Sequence, residues 1–359
     1  MTAAMCFFFL FNKRIGLKER VFLSTAVSSL HLGGIVRLIK RILLGTFLSE
    51  AVGTLILATQ FCPLLGVKGL WFSLFHAICA FCNAGFDLMG YFEPSSSLQL
   101  FRDNWIVQLT IMILVFVGGI GFVVWDDLQE KRFCWRRYEL HTKVMLSFSL
   151  GLILVPAALF FFTETHGGAM AGMSSREALW AAFFHAVNCR SAGFSTMDLS
   201  ALSAPGSLLT IVLMFIGAGS GSTGGGIKVG TFAAMFLSVL AYIRGKKDVE
   251  IFQRRLDLTL VYQAFCSTLF YLFLASISLF IFLLLQPFPL EDILFEVFSA
   301  MGTVGLSRGI TADLDTWTQL LLIVLMYSGR VGSLAILVSI SSSRKTGDLR
   351  NPKDRIIIG

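Results

Sequence analysis

The chain has 359 residues, of which 55% are hydrophobic and only 14% are charged, and its mean hydropathy is +0.77. This composition excludes an ordinary soluble domain and predicts an all-α protein that lies in the lipid bilayer. The net charge of +7 would suit a nucleic-acid partner, but the basic residues cluster between apolar stretches. We therefore assign them to membrane orientation and expect no nucleic acid to bind.

The apolar stretches fall into two length classes along the chain. Six runs are long enough to cross about 30 Å of hydrocarbon: 42–61, 104–125, 143–162, 206–241, 258–286 and 316–341. Between them lie helix-like segments that are too short to span, at 69–82, 176–189 and 291–301. The pattern predicts repeated units of helix, re-entrant hairpin and helix. A further short run, 2–11, is expected to be the end of a helix.

Charge predicts the orientation. Of the 29 Lys and Arg residues, 22 fall in the stretches 13–41, 126–143, 244–255 and 344–355, which the positive-inside rule places in the cytoplasm. We thus expect a multi-pass protein of the cell membrane with a cytoplasmic C-terminus. The remaining loops hold four basic and ten acidic residues, an excess that would concentrate cations at the outer mouth. The acids are Asp87, Glu93, Asp103, Glu164, Glu177, Asp198, Glu291, Asp292, Asp313 and Asp315.

Each re-entrant segment ends in a three-residue motif whose last residue is glycine, and these glycines lie 108 and 112 residues apart. Such a period indicates internal duplication. A glycine lets successive carbonyls face one axis, and Thr-Val-Gly is the core of the potassium-channel filter. We predict an ion selectivity filter that holds dehydrated K⁺, with no tightly bound cofactor. Its residues, here called the three filter segments, are Asn83, Ala84 and Gly85; Ser191, Ala192 and Gly193; and Thr303, Val304 and Gly305.

The fourth apolar run is interrupted by a stretch in which six of ten residues are glycine, here called the glycine loop (217–226). A continuous helix would lose about 1 kcal/mol per glycine, so we predict an intramembrane loop that acts as a gate below the filter; a simple helix kink is the alternative. The stretch fits GxGxxG, but no βαβ unit surrounds it. The gate residues are Gly217, Gly219, Ser220, Gly221, Ser222, Thr223, Gly224, Gly225 and Gly226, with Arg330.

Two arginines within apolar sequence add to this prediction. Arg330 lies in the middle of the last apolar run, where a charge is costly unless it faces water or a partner. We expect it to face the cavity below the filter and to oppose cation flow there. Arg190 precedes the second filter segment and is expected to brace it through hydrogen bonds.

A membrane enzyme is the rival hypothesis from another class. It would use His76, His185 and the cysteines, but neither histidine has partners at metal-ligand spacing. We expect helix-packing histidines and no enzymatic activity.

Taken in order, NAGF (83–86), SAGF (191–194), GSGSTGGGIK (219–228), TVGL (303–306) and GRVG (329–332) resemble the Trk/Ktr/HKT superfamily of cation transporters. Residues 15–38 and 351–359 look most like the membrane subunit of bacterial Ktr-type potassium uptake systems. The resemblance implies four helix–pore-loop–helix repeats around one pseudo-four-fold pore. It also implies homodimers and a cytoplasmic ring of nucleotide-binding regulatory subunits that moves the glycine loop.

The chain departs from that pattern because it holds three complete repeats and a fragment of another. A fourth filter glycine at the same period would lie about 25 positions before Met1. The expected divisions are 1–41, the end of a first repeat and a loop; 42–135, 136–255 and 256–345, three pore repeats; and 346–359, a tail. The alternatives are a sodium-permeable transporter, because the absent filter segment could carry serine, and a truncated, non-conducting fragment. We expect that this chain alone does not conduct selectively.

Overall fold

The computed structural model describes residues 35–92, 96–132, 134–332 and 336. The expected first-repeat fragment (1–11) and C-terminal tail (346–359) lie outside these residues. The described part is almost entirely helical. Its α-helices are α1 Ile35–Leu65, α2 Val67–Phe81, α3 Trp105–Gly119, α4 Phe122–Lys131, α5 Leu140–Glu164, α6 Ser175–Asn188, α7 Ala204–Phe215, α8 Val229–Ile243, α9 Leu258–Leu285, α10 Leu290–Gly302 and α11 Thr316–Val331.

Short elements complete the described chain. Single 3-10 turns lie at Met89–Tyr91, Gln99–Phe101, Trp135–Arg137, Leu199–Ala201 and Ile310–Asp313. After α8, strand β1 (Glu250–Ile251) pairs antiparallel with β2 (Arg254–Arg255). The two residues between these strands, Phe252 and Gln253, have φ of 50° and 60°, which is the backbone that a two-residue hairpin turn requires.

Three helices in the described part are by themselves long and apolar enough to cross a membrane: Arg37–Leu65 within α1, α5 and α9. Each leads into a helix of 13 to 15 residues, α2, α6 or α10. A helix of that length extends only about 20–22 Å, which is short of the hydrocarbon thickness. The segments predicted as re-entrant, 69–82, 176–189 and 291–301, coincide with these short helices.

Side-chain caps determine where several helices begin. Asn104 accepts hydrogen bonds from the N–H groups of the first turn of α3. Ser174 and Glu177 form a capping box at the start of α6. Asp257 and Asp315 cap α9 and α11. Because these caps satisfy N–H groups that a helix leaves without intrahelical partners, they explain why helices resume after polar loops.

The run 104–125, predicted as one span, is instead bent by 95° between α3 and α4. Glycines explain the break. A Cβ at Gly118 would overlap the Phe81 carbonyl oxygen, and a Cβ at Gly121 would lie 2.5 Å from the Ser220 oxygen. Gly121 also has φ of +102°, which side chains disfavour. The chain therefore turns where other backbone segments approach it most closely.

The predicted interruption of run 206–241 is confirmed. Helix α7 ends at Phe215 and α8 begins at Val229. The two ends of the intervening loop are joined, because Gly217 N–H donates to the Ile227 carbonyl at 2.9 Å and Ile227 N–H donates to the Phe215 carbonyl at 3.2 Å. These bonds form a parallel bridge between Ile216 and Ile227, so the loop is closed at its base by backbone hydrogen bonds.

The helices fall into three groups along the chain, α1–α4, α5–α8 and α9–α11, and the short helices connect successive groups. Helix α6 packs on α5 and also on α3 of the preceding group, and α10 packs on α9, α11 and α7. One buried cluster joins Phe81 of the first group with Phe184 and Phe194 of the second. Another joins Met214 of the second group with Val304 of the third. The groups thus follow one another side by side, and each short helix is fixed from two sides.

Glu164, at the end of α5, is fully buried. Its carboxylate accepts hydrogen bonds from Ala169 N–H at 3.0 Å and from Ser203 N–H at 3.2 Å, and also from the Ser203 hydroxyl. One carboxylate thus fastens the loop before α6 to the loop before α7. The sequence predicts Glu164 among the acids of an outer mouth, but the buried side chain does not line one.

We predict that Glu164→Gln lowers the stability of the folded protein by about 1.5–3 kcal/mol, because hydrogen bonds to a charged group are among the stronger ones. The measurement is thermal unfolding of the purified protein in detergent. Glu250→Gln is the matched control, since Glu250 is half exposed in an ion pair with Lys246 and such pairs contribute little. Equal unfolding temperatures for the two variants would contradict the role assigned to Glu164.

Candidate functional site

The three filter segments follow directly on the C-terminal ends of α2, α6 and α10. In each, an N–H turns back to the helix: Ala84 donates to Cys79 at 2.9 Å, Gly193 to Asn188 at 3.2 Å and Val304 to Ser299 at 2.9 Å. These bonds satisfy backbone donors and fix the chain as it leaves the helix. The carbonyl end of each helix dipole, which favours a cation, lies at the filter segment.

The same backbone conformation occurs in all three filter segments. The first and third residues have positive φ, while the middle residue does not. The φ values are 49° and 70° at Asn83 and Gly85, 85° and 90° at Ser191 and Gly193, and 51° and 89° at Thr303 and Gly305. The first and third positions of each segment thus share a left-handed backbone that regular helix or strand does not use.

Sequence reasoning identified the glycines but missed the left-handed first residues. Asn tolerates this conformation, whereas Ser and Thr adopt it rarely. Strained backbone of this kind persists only where the surroundings enforce it, and it concentrates at functional sites. The available signal was positional: in every unit, a small polar residue stands two places before the glycine.

The segments lie against one another in chain order. A Cβ on Gly85 would overlap the Ala192 carbonyl oxygen, and a Cβ on Gly193 would overlap that of Val304. The glycine of each segment thus touches the middle carbonyl of the next. At Gly305, by contrast, no described atom lies within 4 Å of such a Cβ.

The glycine loop touches all three filter segments or the residues just before them. The Thr223 hydroxyl donates to the Phe81 carbonyl at 3.1 Å. Gly225 N–H donates to Ser191 Oγ at 2.8 Å, and a Cβ on Gly225 would overlap Thr303 Oγ1. Most of the loop is buried and none of it is exposed. It therefore lies directly across one end of the three segments.

The bend between α3 and α4 holds the loop. Gly219 N–H donates to the Gly119 carbonyl at 2.8 Å, and Phe122 N–H donates to the Gly221 carbonyl at 3.1 Å. The Thr223 hydroxyl also reaches the Gly118 carbonyl at 3.0 Å. The sequence offered a signal for this second break, since three of residues 118–121 are glycine.

Two cations donate to carbonyls of the glycine loop. Lys228 Nζ donates to the Gly224 carbonyl at 2.6 Å. Arg330 Nη1, from the last turn of α11, donates to the Thr223 carbonyl. The exposed Arg330 side chain thus contacts the glycine loop.

Arg190 is buried beside the second filter segment. Nη1 donates to the Ser149 carbonyl at 3.3 Å and Nη2 to the Gly217 carbonyl at 3.5 Å. No ion pair in the described part of the chain includes Arg190. Its guanidinium therefore joins the filter segment to α5 and to the first glycine of the loop through carbonyls alone.

Several loop acids serve structure rather than an acidic mouth. Asp292 pairs with Arg308 Nε at 2.9 Å, and Glu291 also pairs with Arg308. Thr318 lies against the Asp315 carboxyl and lowers its pKa. The Thr318 N–H donates to this carboxyl at 2.9 Å, so that Asp315 caps α11. Charge counting could not anticipate these pairings, because it treats every loop acid as free.

The histidines of the rival hypothesis have ordinary helix partners. His76 Nδ1 lies 2.7 Å from the Phe72 carbonyl, and His185 Nε2 lies 3.0 Å from Thr210 Oγ1. Over the described residues there is no group of three or more His, Cys, Asp or Glu side chains suited to a metal ion.

Comparison with known proteins assigns this geometry to a family. The family model for TrkH, a cation transport protein, matches residues 12–152 and 139–347. Ktr system potassium uptake protein B of Bacillus subtilis is 36% identical over 362 residues, covering 100% of this chain and 80% of the relative. Potassium/sodium uptake protein NtpJ of Enterococcus hirae is 34% identical with the same coverage.

A solved structure agrees on the fold. The potassium transporter TrkH of Vibrio parahaemolyticus superimposes with a TM-score of 0.68 at 18% identity, over 90% of this chain and 69% of that one. The family match spans nearly the whole sequence and two relatives exceed 30% identity. The chain therefore belongs to the TrkH family of cation transport proteins.

Proposed function

We propose that this chain is the membrane subunit of a Ktr/Trk-type system and that it takes up potassium through a pore lined by the three filter segments. The observation that carries this proposal is their register: Gly85 touches Ala192, and Gly193 touches Val304, through backbone alone. An enzyme site would bring side chains together, whereas this site brings carbonyls together. The uptake proteins B of Bacillus subtilis and Vibrio alginolyticus, 36% and 33% identical, support potassium as the ion.

In this proposal the nine residues of the filter segments replace the hydration shell of K⁺ with carbonyl oxygens. Each segment supplies oxygens from a backbone that is fixed by its helix on one side. The first two segments are also fixed by the next segment on the other side. Three segments occupy three sides of a pseudo-four-fold pore, and the fourth side is the one that Gly305 faces. The divisions 42–135, 136–255 and 256–345 are then the pore repeats.

The glycine loop is the gate in this proposal. It lies against the filter segments, and Arg330 binds its Thr223 carbonyl, so the loop and a fixed positive charge together obstruct the path of a cation. Opening requires the loop to leave Phe81, Ser191 and Gly118. Glycine makes this movement easier, because it adopts several backbone conformations without a steric penalty.

The assembly follows from the family. As a Ktr-type membrane subunit, the chain would form homodimers in the lipid bilayer, with a cytoplasmic nucleotide-binding ring that moves the glycine loop. Helix α8 continues directly from this loop to the β1–β2 hairpin, which carries Arg254 and Arg255. With the basic stretches and the C-terminus in the cytoplasm, α8 is the connection between the ring and the gate.

A sodium-permeable transporter is the second candidate. It is supported by the Enterococcus hirae relative, whose name includes sodium. Uptake of K⁺ and Na⁺ distinguishes the two when it is measured separately in proteoliposomes that hold a version of the protein with a fourth repeat. Comparable fluxes favour the sodium-permeable alternative.

We predict that, in a version of the protein that includes a fourth repeat, Gly193→Ala reduces potassium selectivity over sodium. At Gly193 the added methyl strains a positive φ and also overlaps the Val304 carbonyl oxygen, which must then leave the ion. The flux ratio of the two ions measures the effect, with Gly151→Ala on α5 as control, since a Cβ there meets no described atom within 4 Å. Unchanged selectivity in Gly193→Ala would contradict the filter assignment.

A second prediction concerns the gate. Thr223→Val keeps the shape of the side chain but removes hydrogen bonds to Phe81 and Gly118, a loss of about 1–2 kcal/mol. We expect potassium flux in the unactivated state to rise about 5- to 30-fold.

The matched control for this gate test is Ser222→Ala. The Ser222 hydroxyl bonds only within the loop, to the Gly219 carbonyl and Gly224 N–H. If both variants leave flux unchanged, the loop does not gate the pore.

A further inference from the structure

A small cavity lies behind the first two filter segments, where α3 and α5 meet. The volume within which the centre of a water molecule fits is about 20 Å³. A buried water needs about 10–15 Å³ by this measure and two to four polar partners. The volume therefore admits one water molecule. The polar groups that line it are Asn83, Ser149 and Arg190, and its remaining wall is mostly apolar.

Two of these groups have unpartnered polar atoms. Ser149 Oγ and Arg190 Nε are buried and make no hydrogen bond within the described part of the protein. The two side chains are 1% and 7% exposed, so bulk water does not reach them. A buried donor without a partner costs about 1–3 kcal/mol, and such groups in native proteins nearly always have one.

Asn83, the remaining polar residue of the cavity wall, supplies a hydrogen-bond acceptor. The amide orientation of Asn83 that satisfies its surroundings has Nδ2 donating to the Ala80 carbonyl at 3.2 Å and to the Val115 carbonyl at 3.3 Å. The amide oxygen then lies toward Gly119, another residue of the cavity wall. Asn83 therefore presents an acceptor, and Arg190 a donor, to the same space.

We infer that one ordered water binds in this cavity and joins Asn83, Ser149 and Arg190. It accepts the Arg190 Nε–H and donates to the Asn83 oxygen, while the Ser149 hydroxyl serves as either donor or acceptor. A cation is excluded because it would meet a guanidinium that has no carboxylate partner. A halide would suit Arg190 but would face the Asn83 oxygen, so the mixed donor and acceptor set selects water.

The water connects two repeats at the filter. Asn83 is the first residue of one filter segment, and Arg190 directly precedes another. Asn83 has a left-handed backbone, and the water holds its side chain in place from behind. The binding of water depends on the cavity alone, whereas its effect on ion selectivity rests on the proposed function.

The test is cryo-electron microscopy of the full chain in lipid nanodiscs, at a resolution that shows ordered water. We expect a single peak within hydrogen-bond distance of all three side chains, unchanged when bromide replaces chloride. Absence of the peak, its replacement by a protein side chain, or a stronger peak in bromide would overturn the inference.

A variant pair tests the ligands. Ser149→Ala removes one partner and should weaken the peak and lower the potassium-to-sodium flux ratio. Ser278→Ala makes the same change at a buried serine of α9 that does not line the cavity, and should alter neither. An undiminished peak in Ser149→Ala would exclude Ser149 as a ligand and overturn the three-ligand site. A peak in a version of the protein that includes a fourth repeat but transports without selectivity would instead contradict the proposed function.

Discussion

Backbone polar groups at membrane depth need partners within the protein, because lipid offers none and each unsatisfied group costs several kcal/mol. The irregular segments of this chain meet that constraint by bonding to the adjoining helices and to one another. The filter segments return N–H groups to their helices, the bend at 118–122 exchanges hydrogen bonds with the glycine loop, and the loop donates to Ser191. The filter segments, the bend and the glycine loop thus form a single hydrogen-bonded unit.

The same constraint explains why glycine recurs where the chain is irregular. Carbonyls of one segment can satisfy N–H groups of another only if the two backbones approach closely, and a Cβ prevents such an approach. Gly85, Gly118 and Gly193 each face a carbonyl oxygen that a side chain would displace. These residues are therefore needed for contact between segments, in addition to any local turn that they allow.

Part of this arrangement could be read from the sequence. The period between Gly85, Gly193 and Gly305 located the filter segments, and glycine density located the loop that separates α7 from α8. The bend after Gly119 was missed because an apolar run indicates burial but does not reveal that a distant backbone crosses it. The left-handed backbone of Ser191 and Thr303 was missed for a related reason. Local preference opposes it, and only the packed segments enforce it.

Acidic residues illustrate a further limit of sequence reasoning. Glu164 was counted as a charge of the outer mouth, yet it is buried and fastens two loops through Ala169 and Ser203. Its partners are backbone and hydroxyl donors. Because these donors carry no net charge, counting charged residues along the sequence does not reveal them. The ion pair between Asp292 and Arg308 could not be predicted from the sequence either. The turn that follows the third filter segment brings these two residues together.

The balance of forces in the glycine loop is consistent with a gate rather than a fixed plug. Its outward contacts are separate hydrogen bonds, with net values of about 0.5–1.5 kcal/mol for the neutral donors and about 1.5–3 kcal/mol for those from Arg330 and Arg190. Glycines also leave the loop few side chains with which to bury apolar surface. The filter segments, by contrast, contribute Ala192 and Val304 to buried clusters. A force delivered through α8 would therefore release the loop before it disturbed the filter. A transporter that opens without losing ion selectivity needs a gate that is attached less firmly than its filter.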